Sequence, residues 1–406
     1  MKKLRLLAVS TSYPLRRGSN AGVFVQNLYR ALSVGYTVTV VCPGDTEPKP
    51  PAFDDASIPG VRVHAVRYAP AAWRTLAQGA GGMVASLQRA RWRLVLLPAL
   101  LVALFWRVVA DARDTDVIHA NWAVCGMLAG FAGRLRGKSV VTTLRGSDVA
   151  RAARSRLDRV ILRSAVRNSA CVTCVSDAMA AQVRAWFPAR AADIHACLNG
   201  VDAAFFAAPW HPEAFVLSVL AVGNLIPLKG FDVLIEALAR ASGRDRMRVC
   251  VVGDGPEREA LAALASSRGV ARLVEFAGRV PAAGMRSRYA SADVLVLTSR
   301  SEGRPNVVVE ALAAGVPVIA TDIEGVRGLV RDGDTGWLFP VGDADALARA
   351  LDAAAGDRAA LQHRGAQARA LAKASIGTWA DAATAYDALF RRVLSADKVK
   401  RAPCAE

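Results

Sequence analysis

Residues 217–240 read LSVLAVGNLIPLKGFDVLIEALAR and contain one strand and one helix in the order from which parallel sheets are built. The continuous apolar run over residues 217–222 is typical of a buried strand, and a glycine-containing loop follows it. Beyond the loop, apolar residues recur at helical spacing and form one face: Phe231, Leu234, Ile235 and Leu238. The stretch therefore predicts a βα unit.

Another βα unit opens the chain over residues 4–32, LRLLAVSTSYPLRRGSNAGVFVQNLYRAL. Its apolar run is followed by a glycine loop at residues 17–22, and then by a helical pattern through Val25, Leu28, Tyr29 and Leu32. The first twelve residues are basic and then apolar, but Tyr13-Pro14 ends this run before a signal-peptide core is complete. We therefore interpret the run as a first strand.

Further apolar runs alternate with helical patterns after each unit. They predict buried strands at residues 38–42, 117–120, 140–143, 248–252, 274–277, 294–298 and 318–321. Such alternation predicts an α/β protein with two doubly wound, Rossmann-like domains whose parallel sheets face an interdomain cleft. Open sheets of this kind bind ligands at the carboxyl ends of their strands, and nucleotides are common among those ligands.

The boundary between the two domains is expected near residues 199–202, Asn-Gly-Val-Asp, which are rich in turn-forming residues. Residues 1–200 would then form one domain, and residues 201–378 the other. A third segment, residues 379–396, has apolar residues at helical spacing and needs a surface to cover. We expect it to pack back on the N-terminal domain.

The 406 residues are 53% hydrophobic and 21% charged, which is typical of a folded globular protein and excludes a mainly disordered one. The seven cysteines are odd in number and scattered through apolar segments, unlike a secreted disulfide framework. A cytoplasmic location is therefore expected. Cys171 and Cys174 have the spacing of a redox motif, but their apolar, strand-like setting favours a structural role.

The net charge of +17 is distributed unevenly along the chain. Residues 1–200 hold 27 Lys and Arg against 11 Asp and Glu, whereas residues 201–406 hold 25 against 24. A basic N-terminal half could meet an acidic substrate, an anionic membrane surface or nucleic acid. Nucleic acid is the least favoured of these, because the aromatic and basic interleaving of a recognisable binding module is missing.

The strongest chemical signal is residues 300–312, RSEGRPNVVVEAL, directly after a predicted strand. Asn306 lies where a helix should begin, and the first amides of a helix form an anion site that a phosphate could use. Glu302 in the loop and Glu310 in the helix could contact a sugar and more distant hydroxyls. Two solvated carboxylates near a helix start remain the alternative on spacing alone.

Lys229 gives another signal, because it lies between a predicted strand and a predicted helix. A cation at that end of a sheet can neutralise a diphosphate leaving group, although such a lysine is more often a surface residue. The glycine loop ending at Gly22 would similarly let a phosphate or sugar approach the backbone. Structural glycine turns are the commoner case.

In this order and spacing the motifs resemble family four of the retaining GT-B glycosyltransferases, most strongly over residues 215–342. The resemblance implies that residues 1–200 form the acceptor-side domain and that residues 201–378 bind a nucleotide-sugar donor. It places Glu302 and Lys229 at the reacting centre, with Glu310 holding the donor ribose. It also implies catalytic positions for His119, Asn121 and Arg145. The remaining donor-binding positions that it implies are Gly22, Gly223, Asn224, Gly253, Arg279, Gly303, Pro305, Asn306 and Val307.

Three positions depart from the family pattern. Asn224 stands where many relatives carry arginine, so diphosphate binding would depend more on Lys229. Asn121 replaces the histidine usually placed beside the reacting sugar, and Arg145 stands where a histidine is frequent and could supply another cation. These departures resemble those of a polysaccharide-biosynthesis branch of the family.

The resemblance further implies retention of anomeric configuration, with the leaving phosphate accepting the acceptor proton. No cofactor and no metal are expected. The nearest Asp-x-Asp sequence, Asp343-Ala344-Asp345, lies beyond the motif region and is expected to start a helix.

The segment around Arg89, Arg91, Trp92 and Arg93 precedes an apolar run at residues 94–106. This run is expected to be too short for a transmembrane span and to be interrupted by Pro98. It could be a core helix, or an interfacial segment on an anionic membrane, with the arginines on phosphates and the indole at headgroup level. Peripheral attachment would suit a lipid-linked acceptor, and a glycan acceptor is the other expectation.

The sequence bears on three other functions. A nucleotide-sugar epimerase on the same scaffold would need more acid and base residues. A catalytically weak, nucleotide-sugar-binding partner subunit is suggested by Asn121, Arg145 and Asn224. A hydride-transfer enzyme is disfavoured, because Gly253-x-Gly255 has no third glycine of a dinucleotide fingerprint.

Overall fold

The computed structural model describes residues 3–15, 22–45, 52–77, 83, 86–87, 90–207 and 215–401. The chain divides into two compact units. The first unit comprises Met1–Asn199 together with Trp379–Glu406, and the second comprises Gly200–Thr378. Each unit is built on its own parallel sheet, as the alternating sequence pattern predicts.

In the first unit the described strands are β1 (Leu4–Val9), β2 (Tyr36–Pro43), β3 (Ala52–Asp54), β4 (Val61–Val66), β5 (Val117–Asn121), β6 (Val140–Leu144), β7 (Cys171–Cys174) and β8 (Ile194–Ala196). The described helices before residue 200 are α1 (Val23–Leu32), α2 (Leu96–Asp111), α3 (Ala123–Arg136), α4 (Ser147–Arg154), α5 (Arg156–Asn168) and α6 (Asp177–Trp186). The strand order is β3-β4-β2-β1-β5-β6-β7-β8, and all described pairs are parallel except β3 with β4.

Strand β1 shows why the apolar runs are continuous. Leu6 and Ala8 belong to the core under α1, whereas Leu7 and Val9 belong to the core under α2 and α3. All four side chains are at most 1% exposed. Because successive side chains of a strand point to opposite faces and helices cover both faces, each position must be apolar.

The second unit has the strands β9 (Leu217–Val222), β10 (Met247–Val252), β11 (Val274–Gly278), β12 (Val294–Leu297), β13 (Val318–Thr321) and β14 (Gly336–Phe339). Its helices are α7 (Phe231–Arg240), α8 (Arg258–Ser267), α9 (Ala282–Ala290), α10 (Asn306–Ala314), α11 (Glu324–Arg327), α12 (Ala344–Gly356) and α13 (Arg358–Ser375). The strand order is β11-β10-β9-β12-β13-β14, and every described pair is parallel.

All predicted strands are observed to within a few residues. The sequence pattern missed β3, β4, β8 and β14, which have three to six residues each. Short strands lie at or near the sheet edges and leave little periodicity. The predicted helix start at residue 343 is confirmed, because the Asp343 carboxylate accepts a hydrogen bond from the Ala346 amide at 2.8 Å and caps α12.

The last described helix, α14 (Trp379–Arg401), belongs to the first unit and packs against α1. Tyr386 and Phe390 of α14 are at most 2% exposed and join the core under α1. The Tyr36 hydroxyl donates to the Asp387 carboxylate at 2.6 Å. The amphipathic pattern of the sequence is thus used to cover one face of the first sheet.

The structure corrects the expectation that the apolar segment at residues 94–106 is too short to span a membrane and is interrupted by Pro98. Together with its flanking turns, helix α2 runs from Arg91 to Asp114, and by length and composition alone this segment could cross a membrane. Pro98 does not interrupt it, because proline is tolerated in the first turn of a helix, where the missing amide has no partner within the helix. Leu96, Leu100, Leu104 and Val108 of α2 are buried in the core of the unit.

Candidate functional site

The strand order reverses between neighbouring central strands in each unit. In the second unit the chain leaves β9 toward β10 on one side, and it reaches β12 on the other side. In the first unit the same reversal occurs between β1 and β5. Ligands of open α/β sheets bind outside the carboxyl ends of the strands at such reversals. A ligand site is therefore expected at the loops that follow β9 and β12.

These two loops bring Lys229 and Glu302 together. The Lys229 ammonium donates to Glu302 Oε1 at 2.5 Å, and the Ser299 hydroxyl donates to the same oxygen at 2.7 Å. The Thr298 hydroxyl donates to the carbonyl oxygen of Lys229 at 2.8 Å, which ties one loop to the other. Both charged side chains are about four-fifths buried, so the pair is only partly screened by water. A cation and a carboxylate thus share one edge of the sheet.

Glycines allow the backbone segments at this edge to approach closely. Gly230 has a φ of +65°, and a Cβ atom there would lie 2.4 Å from the carbonyl oxygen of Thr298. Gly253 has a φ of +145°, and its Cβ would lie 1.8 Å from the carbonyl oxygen of Gly223. Gly223 itself has ordinary room for a Cβ, with Phe231 at 3.5 Å. Of these three glycines, Gly230 and Gly253 are required by the backbone itself, and of the two donor-binding candidates, Gly223 and Gly253, only Gly253 is.

Helix α10 begins at Asn306, with Pro305 as its N-cap, so the predicted helix start is confirmed. The Val308 amide already donates to the Pro305 carbonyl at 3.1 Å. The start of the helix carries partial positive charge from the aligned peptide dipoles. Gly303 and Pro305 lead the chain from Glu302 into this helix, so the carboxylate and the helix start lie a few residues apart.

Glu310 lies in the second turn of α10, where its Oε2 accepts a hydrogen bond from the Tyr289 hydroxyl at 2.8 Å. The same hydroxyl lies 3.2 Å from the carbonyl oxygen of Val307. Burial raises the pKa of Glu310 to about 7, with a smaller contribution from the negative charge of Asp202. The sequence analysis missed Tyr289. A signal existed, since a buried tyrosine hydroxyl needs a polar partner.

Arg279 and Asn224 lie outside this group of contacts. The Arg279 guanidinium is half-exposed and lies 3.6 Å from the Asp254 carboxylate, beyond β10 and β11. Asn224 is partly buried in the turn after β9, and its carbonyl oxygen accepts from the Ile226 amide at 2.9 Å. The structure places both at the carboxyl edge of the sheet, and their contact with a donor stays a prediction.

In the first unit, the sequence-predicted residues His119, Asn121 and Arg145 form one network at the ends of β5 and β6. Arg145 donates from Nη2 and Nε to Asn121 Oδ1, at 2.5 and 3.1 Å. Asn121 Nδ2 donates to the Tyr29 hydroxyl at 2.8 Å, so the Tyr29 proton is left for His119 Nδ1 at 3.0 Å. His119 Nε2 then donates to the Thr143 hydroxyl at 2.7 Å.

The catalytic positions that the sequence implies for His119 and Asn121 stay predictions, and the structure shows how these two side chains are held. Both side chains are fully buried, and the polar atoms of each are bonded to protein groups. Burial and the nearby Arg145 guanidinium hold the pKa of His119 well below its usual range, so the ring is neutral. The geometry therefore fits residues that position Arg145 more closely than residues that touch a substrate.

Arg145 is the charged end of the network. Its Nη1 donates to Asn199 Oδ1 at 2.8 Å, and its guanidinium lies over the Phe24 ring, 5.1 Å from the centroid. Among the described ion pairs none includes Arg145. A buried guanidinium held by neutral amides and a ring keeps its charge available for an anion.

Gly22 precedes α1 with a φ of +72°, and a Cβ there would lie 2.3 Å from the carbonyl oxygen of Ser12. Glycine is thus required by the backbone, whereas contact of Gly22 with a ligand stays a prediction. Residues 17–21 of the predicted glycine loop lie outside the described residues. Cys171 and Cys174 are buried free thiols of β7, and burial raises the pKa of both, which fits the structural role.

The described residues contain no group of three or more His, Cys, Asp or Glu side chains that could hold a metal ion. The ion pair of Lys229 with Glu302, the start of α10 and the half-buried Glu310 make the second unit suited to a ligand that combines phosphates with hydroxyl groups.

Comparison with known proteins agrees with this chemistry. Residues 202–371 match the family described as Glycosyl transferases group 1, and residues 21–205 match Glycosyltransferase Family 4. The lipopolysaccharide core biosynthesis glycosyltransferase LpsE of Rhizobium meliloti is 30% identical over 299 residues, which are 72% of this chain and 81% of LpsE. The glycogen synthase of Mycobacterium tuberculosis is 29% identical over 90% of this chain and 89% of its own.

Solved structures show the same fold. The sucrose-phosphate synthase of Thermosynechococcus elongatus superposes with a TM-score of 0.77 at 22% identity, over 97% of this chain and 100% of that one. Anabaena HepE, solved in complex with UDP and glucose, gives a TM-score of 0.72 at 20% identity, with the same coverage of both chains. The chain therefore belongs to glycosyltransferase family 4, the glycosyl transferases group 1, and has the GT-B fold.

Proposed function

We propose that this glycosyltransferase moves a sugar from a nucleoside-diphosphate sugar to a lipid-linked or glycan acceptor, with retention of anomeric configuration and without a metal or cofactor. The observation that carries the proposal is the pairing of Lys229 with Glu302 where the strand order of the second sheet reverses. The relation to LpsE supports a role in cell-surface polysaccharide biosynthesis. The free cysteines of the described residues support a cytoplasmic site for the reaction.

In this proposal each residue of the second unit acts on a different part of the donor. Lys229 and the start of α10 stabilise the charge that develops on the departing diphosphate. Glu302 uses Oε1 for Lys229 and Ser299, which leaves Oε2 for sugar hydroxyls. Glu310 uses one oxygen for Tyr289 and offers the other to the ribose. In the first unit, the network of His119 and Asn121 positions Arg145 toward an anionic group.

The proposal is tested by a donor screen. The purified protein is incubated with nucleotide sugars that include UDP-glucose, which HepE binds in a solved complex, and mass spectrometry follows the nucleoside diphosphate that is released. One donor should give transfer or slow hydrolysis, and the Glu302→Gln variant should lose it. Conversion of donor to an isomer without release would indicate an epimerase. Binding without any turnover would indicate a partner subunit.

Glu310 gives a pH-dependent prediction. Its pKa is raised from an ordinary 4.5 to about 7, so between these values the folded protein keeps a proton that the unfolded chain has lost. Stability therefore falls as the pH rises through this window. Glu310→Gln, which cannot ionise and can still accept from Tyr289, should raise the free energy of unfolding by about 2 kcal/mol at pH 8. The gain should vanish near pH 4.5.

The same variant should bind the donor more weakly than the wild type at pH 8, because a hydrogen bond to a charged group contributes about 1.5–3 kcal/mol. Thermal unfolding across pH measures the first effect, and titration calorimetry with the donor measures the second. A variant that is no more stable at pH 8, with undiminished donor affinity, would contradict the role given to Glu310.

A further inference from the structure

The side of α2 that faces away from the sheet is apolar. Its inner side chains, Leu96, Leu100, Leu104 and Val108, are at most 6% exposed. On the opposite side Val95, Val102 and Trp106 lie on one line along the helix, and they are 71%, 57% and 60% exposed. Surface helices normally carry polar residues on this outer side. The outer side of α2 is therefore apolar and exposed among the residues that the structure describes.

Other exposed apolar side chains lie on segments that adjoin α2 in space or in sequence. Helix α3 packs beside α2 and exposes Phe131 and Leu135, and the Trp73 and Trp92 rings make an edge contact at 6.4 Å near the start of α2. We define the apolar face as Trp73, Trp92, Leu94, Val95, Val102, Trp106, Phe131 and Leu135. It holds eight of the fifteen large hydrophobic side chains exposed in the described part of the chain. Such clustering marks an interaction site rather than scattered surface residues.

The charge around the apolar face indicates what covers it. Residues 56–110 contain seven arginines, no lysine and no Asp or Glu, and two of the arginines, Arg62 and Arg107, pair with Asp54 and Asp111 just outside this range. A second copy of this chain would place one basic surface against another, which opposes self-association. An anionic lipid surface instead complements the arginines, and tryptophan is favoured at the level of the lipid headgroups.

One of the three arginines in the predicted membrane contact is engaged within the chain. Arg93 donates from Nη1 to the Ser86 hydroxyl at 2.6 Å, and its guanidinium lies 5.9 Å from the centre of the Trp92 ring. Arg91 is exposed, and Arg89 lies outside the described residues. That an arginine cluster contacts a membrane stays a prediction. The larger feature of this region is the apolar face.

We propose that the apolar face inserts into the boundary between headgroups and acyl chains of an anionic bilayer, with α2 lying in the membrane plane. Spanning is excluded in this fold, because the inner side of α2 is built into the core of the first unit. Insertion of the apolar face contributes binding free energy that salt does not screen. The arginines contribute an electrostatic part of the binding free energy, which salt does screen. The inference goes beyond the proposed reaction, since neither the donor nor the acceptor enters the argument.

The test compares two variants with the same chemistry. Val102→Glu places a charge on the apolar face, where Val102 is 57% exposed. Val34→Glu places the same charge after α1, on the opposite side of the sheet, at a site that is 80% exposed. Flotation uses vesicles of phosphatidylcholine with roughly one quarter phosphatidylglycerol. The wild type and Val34→Glu should float alike, and Val102→Glu should show about fivefold less bound protein. Part of the wild-type binding should persist in about 0.5 M NaCl.

Thermal unfolding checks that both variants fold. If Val102→Glu does not fold, the Trp106→Gln variant takes its place in the flotation test. Equal flotation of the two glutamate variants would overturn the proposal, as would no binding to anionic vesicles. Complete loss of binding in high salt would assign the contact to the arginines alone. Sedimentation equilibrium tests whether a second copy of the chain covers the apolar face instead. A dimer of the wild type that dissociates in the Val102→Glu variant would show this and would overturn the proposal.

Discussion

Replacement of Lys229 by alanine is expected to lower the turnover number by about 10²–10³-fold, equivalent to about 3–4 kcal/mol of transition-state stabilisation. The ammonium lies 2.5 Å from Glu302 at the carboxyl edge of β9 and β12. The charge of a departing diphosphate grows in the transition state, so the loss should fall mainly on kcat and less on donor affinity. Asn224, which carries no charge, cannot compensate for the missing cation.

Arg300→Ala is the control for this prediction. Arg300 lies in the loop after β12, but its guanidinium pairs with Asp232 at 3.1 Å, and both side chains are nearly half exposed. An exposed ion pair of this kind contributes little free energy, so turnover should change by about threefold or less. Steady-state release of nucleoside diphosphate measures both variants. Similar losses of turnover in Lys229→Ala and Arg300→Ala would show a general effect of removing positive charge. Equal losses in kcat and in donor affinity for Lys229→Ala would indicate that Lys229 binds the ground state and the transition state equally.

Gly253→Ala is expected to lower the free energy of unfolding by about 3 kcal/mol or more. Two effects add at this residue. Its φ of +145° is rarely adopted by residues with a side chain, and a Cβ would lie 1.8 Å from the carbonyl oxygen of Gly223. Because β9 and β10 pair directly before these glycines, the new methyl group can be accommodated only if the strand ends separate.

Two other glycines separate these effects. Gly333→Ala tests the backbone angle alone, since Gly333 has a φ of +78° and nothing within 4 Å of a Cβ, and it should cost about 1 kcal/mol. Gly223→Ala, with its nearest atom at 3.5 Å, should cost less than Gly253→Ala. Denaturant midpoints of the three variants give the comparison. Equal destabilisation by Gly253→Ala and Gly333→Ala would show that the close approach contributes nothing.

The sequence predicted the strands and helices well because these signals are local. A buried parallel strand needs an unbroken apolar run, and a covering helix needs one apolar face, as residues 217–240 show. The candidate site was found through Lys229, Glu302 and Glu310. Their actual contacts depend on which strands are neighbours, and β9 lies beside β12 although two strands intervene in sequence. Composition and spacing do not determine that order.

The network around His119 shows the limit of local reasoning. The Thr143 hydroxyl lies 2.9 Å from the hydroxyl of Tyr386, a residue 243 positions later, and the His119 ring lies 5.0 Å from the Tyr386 ring. Only the folded chain shows that α14 covers these side chains and buries them. The sequence placed His119 and Asn121 on the correct strand and predicted that the last helix packs on this domain, but it could not reveal that this helix covers the His119 ring.

The path of α14 has a consequence for biosynthesis. The second unit is one uninterrupted segment, whereas the first unit needs residues on both sides of it. The first unit therefore exposes the apolar surface that Tyr386 and Phe390 cover until the last helix has been made and has emerged. Domains generally fold as units, so here the domain whose synthesis begins first cannot finish folding first.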